Sequence, residues 1–214
     1  MDIIAIILSL IILIYSSILH EIAHGYVAYR LGDPTAKLLG RLTLNPIKHI
    51  DPFMSIILPV ILFLTSPIIF GGAKPVPIDP FNLREGRKDI ALVSLSGPLT
   101  NILLSLLGSI LIHVFYPNMS LAMVTSSGII GFCLSSLVSL NLLLALFNLI
   151  PIPPLDGSKI LASVLPKKDA AAYLSLESVG LLILFALLFI PIGPFSLMGL
   201  VSSLLNFSLS LLGL

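Results

Sequence analysis

This 214-residue chain has a single cysteine, charged side chains at only 10% of its positions, and no hydrophilic stretch long enough to make a second, soluble domain. Each scarcity excludes something. One thiol, Cys133, can form neither an internal disulfide nor a cysteine zinc cluster, and within its apolar run it reads as a small packing residue. A net charge of +1 leaves no electrostatic footprint for nucleic acid. The scarcity of charge stands against 57% hydrophobic residues and a mean hydropathy of +1.13, more than a soluble domain keeps dissolved. The chain therefore reads as embedded in lipid. It shows no internal repeat and no low-complexity tail. Met1 and Asp2 bring no basic segment, and the apolar run behind them leads into ionisable residues, so the start does not read as a cleaved signal peptide.

Apolar stretches lie at about residues 3–29, 53–70, 90–115, 127–150, 176–191 and 195–213. A helix needs roughly 20 residues to cross the hydrocarbon core, so the first, third and fourth are comfortable spans. The last two, joined through Pro191, Gly193 and Pro194, read as a helical hairpin. Residues 53–70 carry Pro59 and Pro67, which kink or break helices. The expected fold is an all-α polytopic membrane protein with five to six transmembrane helices, with 53–70 either spanning or re-entering. A short extended edge is expected near 73–80, where Pro75, Pro77 and Pro80 exclude a central strand.

Within the first span His20, Glu21, Ile22, Ala23 and His24 form an HExxH pattern. On a helix, positions four apart sit about 40° apart around the axis and about 6 Å apart along it, so both imidazoles can face one ion while Glu21 faces a water on it. Two surface histidines are the bland alternative in a soluble helix. Here the bilayer penalises each ionisable group by roughly 2.5 to 3.5 kcal/mol or more, and a metal is the most economical compensation.

A catalytic zinc takes three protein ligands and keeps one position open, so another donor is required. Asp156, in FNLIPIPPLDG (147–157), is the best candidate; its other reading is a helix N-cap after a proline-rich bend. Charge bias bears on the choice. Arg30, Lys37, Arg41 and Lys48 precede 53–70, and Lys74, Arg84, Arg87 and Lys88 follow it, so both loops favour the cytoplasm. Residues 116–126 have no Lys or Arg, and Lys159, Lys167 and Lys168 follow the fourth span. If 53–70 re-enters, Asp156 arrives on the same side as His20 and His24. If it crosses fully, Asp156 lies on the opposite side.

Together with GRLTLNPIKHIDP (40–52), GGAKPVPIDP (71–80) and SGPLTN (96–101), these motifs make the sequence resemble the site-2 protease family of intramembrane zinc metalloproteases. The closest form is the compact bacterial and archaeal one without an extra soluble domain. The resemblance implies one Zn2+ per chain, held by His20, His24 and Asp156, with Glu21 as general base. It further implies that Asn148 helps hold the scissile carbonyl or its oxyanion; the alternative for Asn148 is hydrogen-bonding glue between helices. With no hydrophilic stretch to divide it, the chain reads as one membrane domain over 1–214, with a catalytic core at about 1–165 and the hairpin at about 176–213. The partners implied are the bilayer and a membrane protein substrate with a transmembrane helix, in a prokaryotic cell membrane. Two positions depart from the family pattern: Gly72 stands where Trp is expected and Met54 where Gly is expected.

Asn141 reads as interhelical glue, Asn101 as packing or as a brace for the site, and His49 and His113 as interfacial side chains. The competing function is a non-proteolytic membrane metal or proton carrier, which would more often show paired halves with broken helices. A purely structural membrane protein leaves the buried ionisable cluster unexplained.

Overall fold

The first apolar run folds as one continuous helix, α1 (Ile3–Leu31), in the computed structural model, which describes residues 3–49, 57, 74–190, 193 and 196–214. Its buried residues Leu13, Ser16, Ser17, His20, His24 and Ala28 recur every three to four positions, so one face turns inward. Ile3, Ile4, Ile7 and Ile11 stay exposed. After a short helix α2 (Thr35–Leu38) and a 3-10 turn (Pro46–Lys48), the described chain resumes with an irregular segment, 74–79, and a second 3-10 turn (Pro80–Asn82). Helix α3 (Arg87–Phe115) contains the buried Gly97 and Pro98. Next come α4 (Leu121–Ser126), α5 (Ile129–Asn148), α6 (Asp156–Val164), α7 (Lys167–Leu174), α8 (Glu177–Phe189) and α9 (Leu197–Leu211).

Helix α3 is the centre of the bundle, packing on α5, α1 and α6, while α9 covers α5. The helices approach through small residues. Ser94, Gly97, Ser105, Gly108 and Ser109 are buried on α3, and Gly131 and Ser135 on α5. Polarity runs inside out relative to a soluble protein. Buried positions include Ser16, His20, His24, Asn101 and Asn141, while Leu92, Leu99, Leu103, Leu107 and Ile110 face outward. Outward leucines with inward polar groups are what a lipid solvent selects, and the protein is an integral membrane protein.

Among the described residues three helices, α1, α3 and α5, are long and apolar enough to cross a membrane. The count becomes four if α7 and α8, bent by 67° at their junction, make one span. Over the described residues this is fewer than the expected five to six. The arms of the C-terminal hairpin, α8 and α9, have 13 and 15 residues and so reach only about 20 to 22 Å, short of a hydrocarbon core about 30 Å thick. No strand occurs among the described residues, and 74–79 lies unpaired as a strand.

The re-entrant path expected for 53–70, and the departures at Met54 and Gly72, lie outside the described residues. The two ends flanking that stretch are described, and they meet: the Lys74 amide donates to the His49 carbonyl at 2.7 Å. His49 itself is buried rather than interfacial, with Nε2 on the Thr43 carbonyl at 2.8 Å. Its ring closes the loop that brings residues 41–49 against 74–75. Arg41 does the same from the other side, donating to the carbonyls of Lys74 and Pro75 at 2.8 and 3.3 Å. His113, by contrast, is exposed at the far end of α3.

Candidate metal centre

Helical spacing puts His20 and His24 on the inward face of α1, with ring centroids 4.6 Å apart and planes nearly perpendicular. Their outer nitrogens are held by oxygens. His20 Nδ1 lies 2.6 Å from Asn101 Oδ1, and His24 Nδ1 lies 2.7 Å from the Val93 carbonyl. The Asn101 orientation is set in turn, because its Nδ2 donates to Asn141 Oδ1 at 2.8 Å while Asn141 Nδ2 donates to Ser16 Oγ and to the Leu137 carbonyl. Both partners of the imidazoles are therefore acceptors, and each Nδ1 carries the proton. Each neutral ring then presents the lone pair of Nε2 to the interior.

Those lone pairs converge with a carboxylate. His20 Nε2 and His24 Nε2 lie 3.0 Å apart, and each is 3.1 Å from Asp156 Oδ2. All three residues are buried. Tetrahedral ligands about 2.0 to 2.1 Å from a zinc ion are spaced about 3.3 Å apart, so the triangle fits within a few tenths of an ångström. Two imidazole lone pairs and a carboxylate oxygen repel one another at this spacing unless a cation lies among them. The space for it is provided by Gly97: a Cβ at that position would come within 2.5 Å of both Nε2 atoms. The three atoms can thus hold a metal ion, and the donor set of two nitrogens and one oxygen suits zinc.

Asp156 is brought there by backbone rather than by capping. It is the first residue of α6, whose N-cap, Leu155, makes no side-chain cap. Gly157 makes the approach feasible, since any Cβ would collide with the carbonyls of Leu149 and Ile150 at the end of α5. As a carboxylate, Asp156 offers an oxygen that is a competent metal ligand.

Glu21 lies beside the triangle, and its Oε2 accepts the Val76 amide at 2.7 Å. Val76 is flanked by Pro75 and Pro77, which have no N–H, and its own amide, which an edge would offer to a partner strand, is taken by Glu21. Asn148 donates to the Leu144 carbonyl at 3.0 Å, and its second amide hydrogen has no partner among the described residues. His20, Glu21, His24, Asn148 and Asp156 all line one cleft of about 350 Å3. The histidines and Gly97 lie about 15 Å along their helices from the Leu31 end of α1 and the Arg87 end of α3.

A model of peptidase family M50 matches residues 6–191. The chain belongs to peptidase family M50. This is the family of the site-2 proteases, whose motifs the sequence carries. The M50 chain is 40% identical to YwhC of Bacillus subtilis over 86% of its own length and 81% of that protein. It is 32% identical to Rip2 of Mycolicibacterium smegmatis over 81% of its length, but covers only 63% of that relative. It is 33% identical to MJ0611 of Methanocaldococcus jannaschii over 75% of its length and 72% of that protein. All three bear names of candidate zinc metalloproteases. No solved structure matches the M50 chain.

Sequence reasoning placed Asn101 between packing and bracing, and the structure makes it the brace on His20. Asn141 is both glue and the next link in that chain. The Val76 amide on Glu21 and the role of Gly97 were not anticipated. In sequence the Gly97–Pro98 pair stands only within the SGPLTN motif, because nothing local says that α1 will press its histidines there. Asp33 was also missed; its carboxylate accepts the Asp79 amide and the Asn82 side chain and ties 79–82 to the end of α1. Its one signal is an Asp directly before Pro34, ordinary turn chemistry.

Proposed function

We propose that this M50 zinc metallopeptidase hydrolyses peptide bonds in or beside the membrane-spanning segments of other membrane proteins, in a prokaryotic cell membrane. His20, His24 and Asp156 are its metal ligands, one zinc per chain, Glu21 is its general base, and Asn148 holds the scissile carbonyl. The observation that carries this reading is the triangle of Nε2, Nε2 and Oδ2 atoms within 3.1 Å, with both imidazole tautomers set by acceptors behind them. The second support is the position of the metal-binding residues, about 15 Å along α1 and α3 from their basic ends, which favours a reacting bond within the outer part of a span.

Zinc, when bound, supplies the Lewis acid that polarises a water and the scissile carbonyl. Glu21 takes the proton as that water attacks, and returns it to the leaving amine. Held by the Val76 amide, its carboxylate stays aimed across the cleft next to the histidines. The second Asn148 amide hydrogen is positioned to donate to the carbonyl oxygen as it gains charge. Peptide bonds inside a helix are hydrogen-bonded, so the substrate must unwind locally before it reaches Glu21. The walls of the cleft include Pro75, Val76, Ile78 and Pro80, which favour an extended chain. The whole is one membrane domain over 1–214, with the basic ends of α1 and α3 facing the cytoplasm.

Zinc per chain and cleavage of a single-span reporter, measured together for wild type and Glu21→Gln, test the reading. The expected result is full zinc in both and loss of cleavage by at least about 10²-fold in the variant. Undiminished cleavage in Glu21→Gln overturns the base assignment, and zinc transport without cleavage returns the chain to the carrier class.

A further inference from the structure

The metal cleft does not end at Asp156. Lys159, one turn further along α6, and Ile90 of α3 line both this cleft and a second cavity of about 210 Å3 between α3, α6 and α7. The second cavity adds Arg87 and Lys167 over an apolar floor that includes Ala162 and Ala170. Lys159 is the one Lys or Arg among the described residues of the cleft lining, and the cleft's carboxylates, Glu21 and Asp156, are engaged with Val76 and the histidines. Among the described residues none of the three cations has an ion-pair partner; the lysine that has one is the exposed Lys88, on Glu85. Arg87 donates to the carbonyls of Ala162 and Leu165, which anchors its guanidinium without neutralising it.

We infer that this cationic annex is the subsite for the substrate's flank just outside the membrane, and that it takes an acidic segment. The inference rests on the protease reading above. Its physical basis is selection by repulsion as well as attraction. An ordinary span ends on the basic side of the membrane in Lys or Arg. Such a flank, drawn past Lys159 towards Arg87 and Lys167, meets three like charges, and a flank of Asp or Glu meets three opposite ones. The apolar floor takes the side-chain stems of either. Lys159 is the cleft's one Lys or Arg side chain among the described residues, so the annex selects spans with inverted flank charge.

The test uses the full-length, zinc-loaded protein in nanodiscs of zwitterionic lipid. Three fluorescent single-span peptides share one span and differ only in a flank of Glu, Ser or Lys residues, and binding by anisotropy is measured alongside cleavage. The Glu flank is expected to bind and to be cleaved about tenfold better than the Lys flank at low salt, with the ratio collapsing at about 1 M salt, where the Debye length is about 3 Å. Lys159→Glu combined with Lys167→Glu should reverse the order. Lys167→Glu alone, at an exposed position that does not endanger folding, should at least halve the ratio. Equal binding of the three flanks, or an order unchanged by charge reversal, overturns the inference. Ranked binding with no cleavage of any peptide supports the subsite and overturns the protease reading instead.

Discussion

At Gly97 a single hydrogen atom leaves room beside two imidazole nitrogens, and the metal centre depends on it. Gly97→Ala is expected to abolish zinc binding while the bundle still folds, because the added methyl would sit within 2.5 Å of both Nε2 atoms. Asp156→Ala should likewise leave two ligands and lose most of the zinc. Metal analysis of the purified variants, with far-UV circular dichroism as the control for folding, checks both. Normal zinc in Asp156→Ala would leave the third ligand unassigned. Asn101 works at one remove: it orients His20 and is itself held by Asn141. Asn101→Ala should weaken zinc affinity by about 10- to 100-fold, read by competition with a chelator, and Asn101→Asp should restore much of it by keeping an acceptor on Nδ1.

At the scale of elements, the segment 74–82 matters because it bears the amide that holds Glu21. It has no ladder to support it, so individual groups fasten it: the His49 carbonyl, Glu21, Asp33 and Arg41. Asp33 is fully buried just beyond α1. Burial would raise its pKa, but hydrogen bonds from the Thr35 hydroxyl, Asn82, and the amides of Asp79 and Thr35 prevail and lower it. With the native value below the unfolded one, near 3.9, the contribution to stability is full above about pH 4 and is lost as pH falls through the native value. The gap in Tm between wild type and Asp33→Asn should therefore be widest at neutral pH and close in acid. A gap independent of pH would mean that the carboxylate's charge is not what fastens the segment. Helix α6 shows the same economy, carrying Asp156 at its first residue while Arg87 caps its last carbonyls.

For the whole molecule, the contact that bears on topology is the hydrogen bond between the Lys74 amide and the His49 carbonyl, which brings the two basic loops together. Cysteines introduced near Lys37 and near Arg84, in a Cys133→Ser background, should both react with a membrane-impermeant thiol reagent from the same face, the cytoplasmic one. A cysteine near Asn118, beyond the far end of α3, should react only from the other. Opposite labelling of the first two sites would contradict the side on which Asp156 meets the histidines. The long spans were legible because 20 or more apolar residues fold as a helix in lipid whatever surrounds them. The hairpin arms were less legible because hydropathy registers apolar length but not how far one helix runs, and α8 and α9 have 13 and 15 residues.

The sequence by itself determined that His20 and His24 share a face with Glu21 between them, since helical spacing is local and needs no neighbour. It also determined that the chain lies in lipid, and it marked Asp156 and Asn148 as partners worth seeking. Only the tertiary structure decided that Asp156 supplies its oxygen to the triangle, that Asn101 and the Val93 carbonyl set the tautomers, and that Val76 holds Glu21. These groups lie 55 to 136 positions from their partners, and what a helix face meets is set by how α3 packs between α1 and α5, through small residues whose role no local pattern reveals.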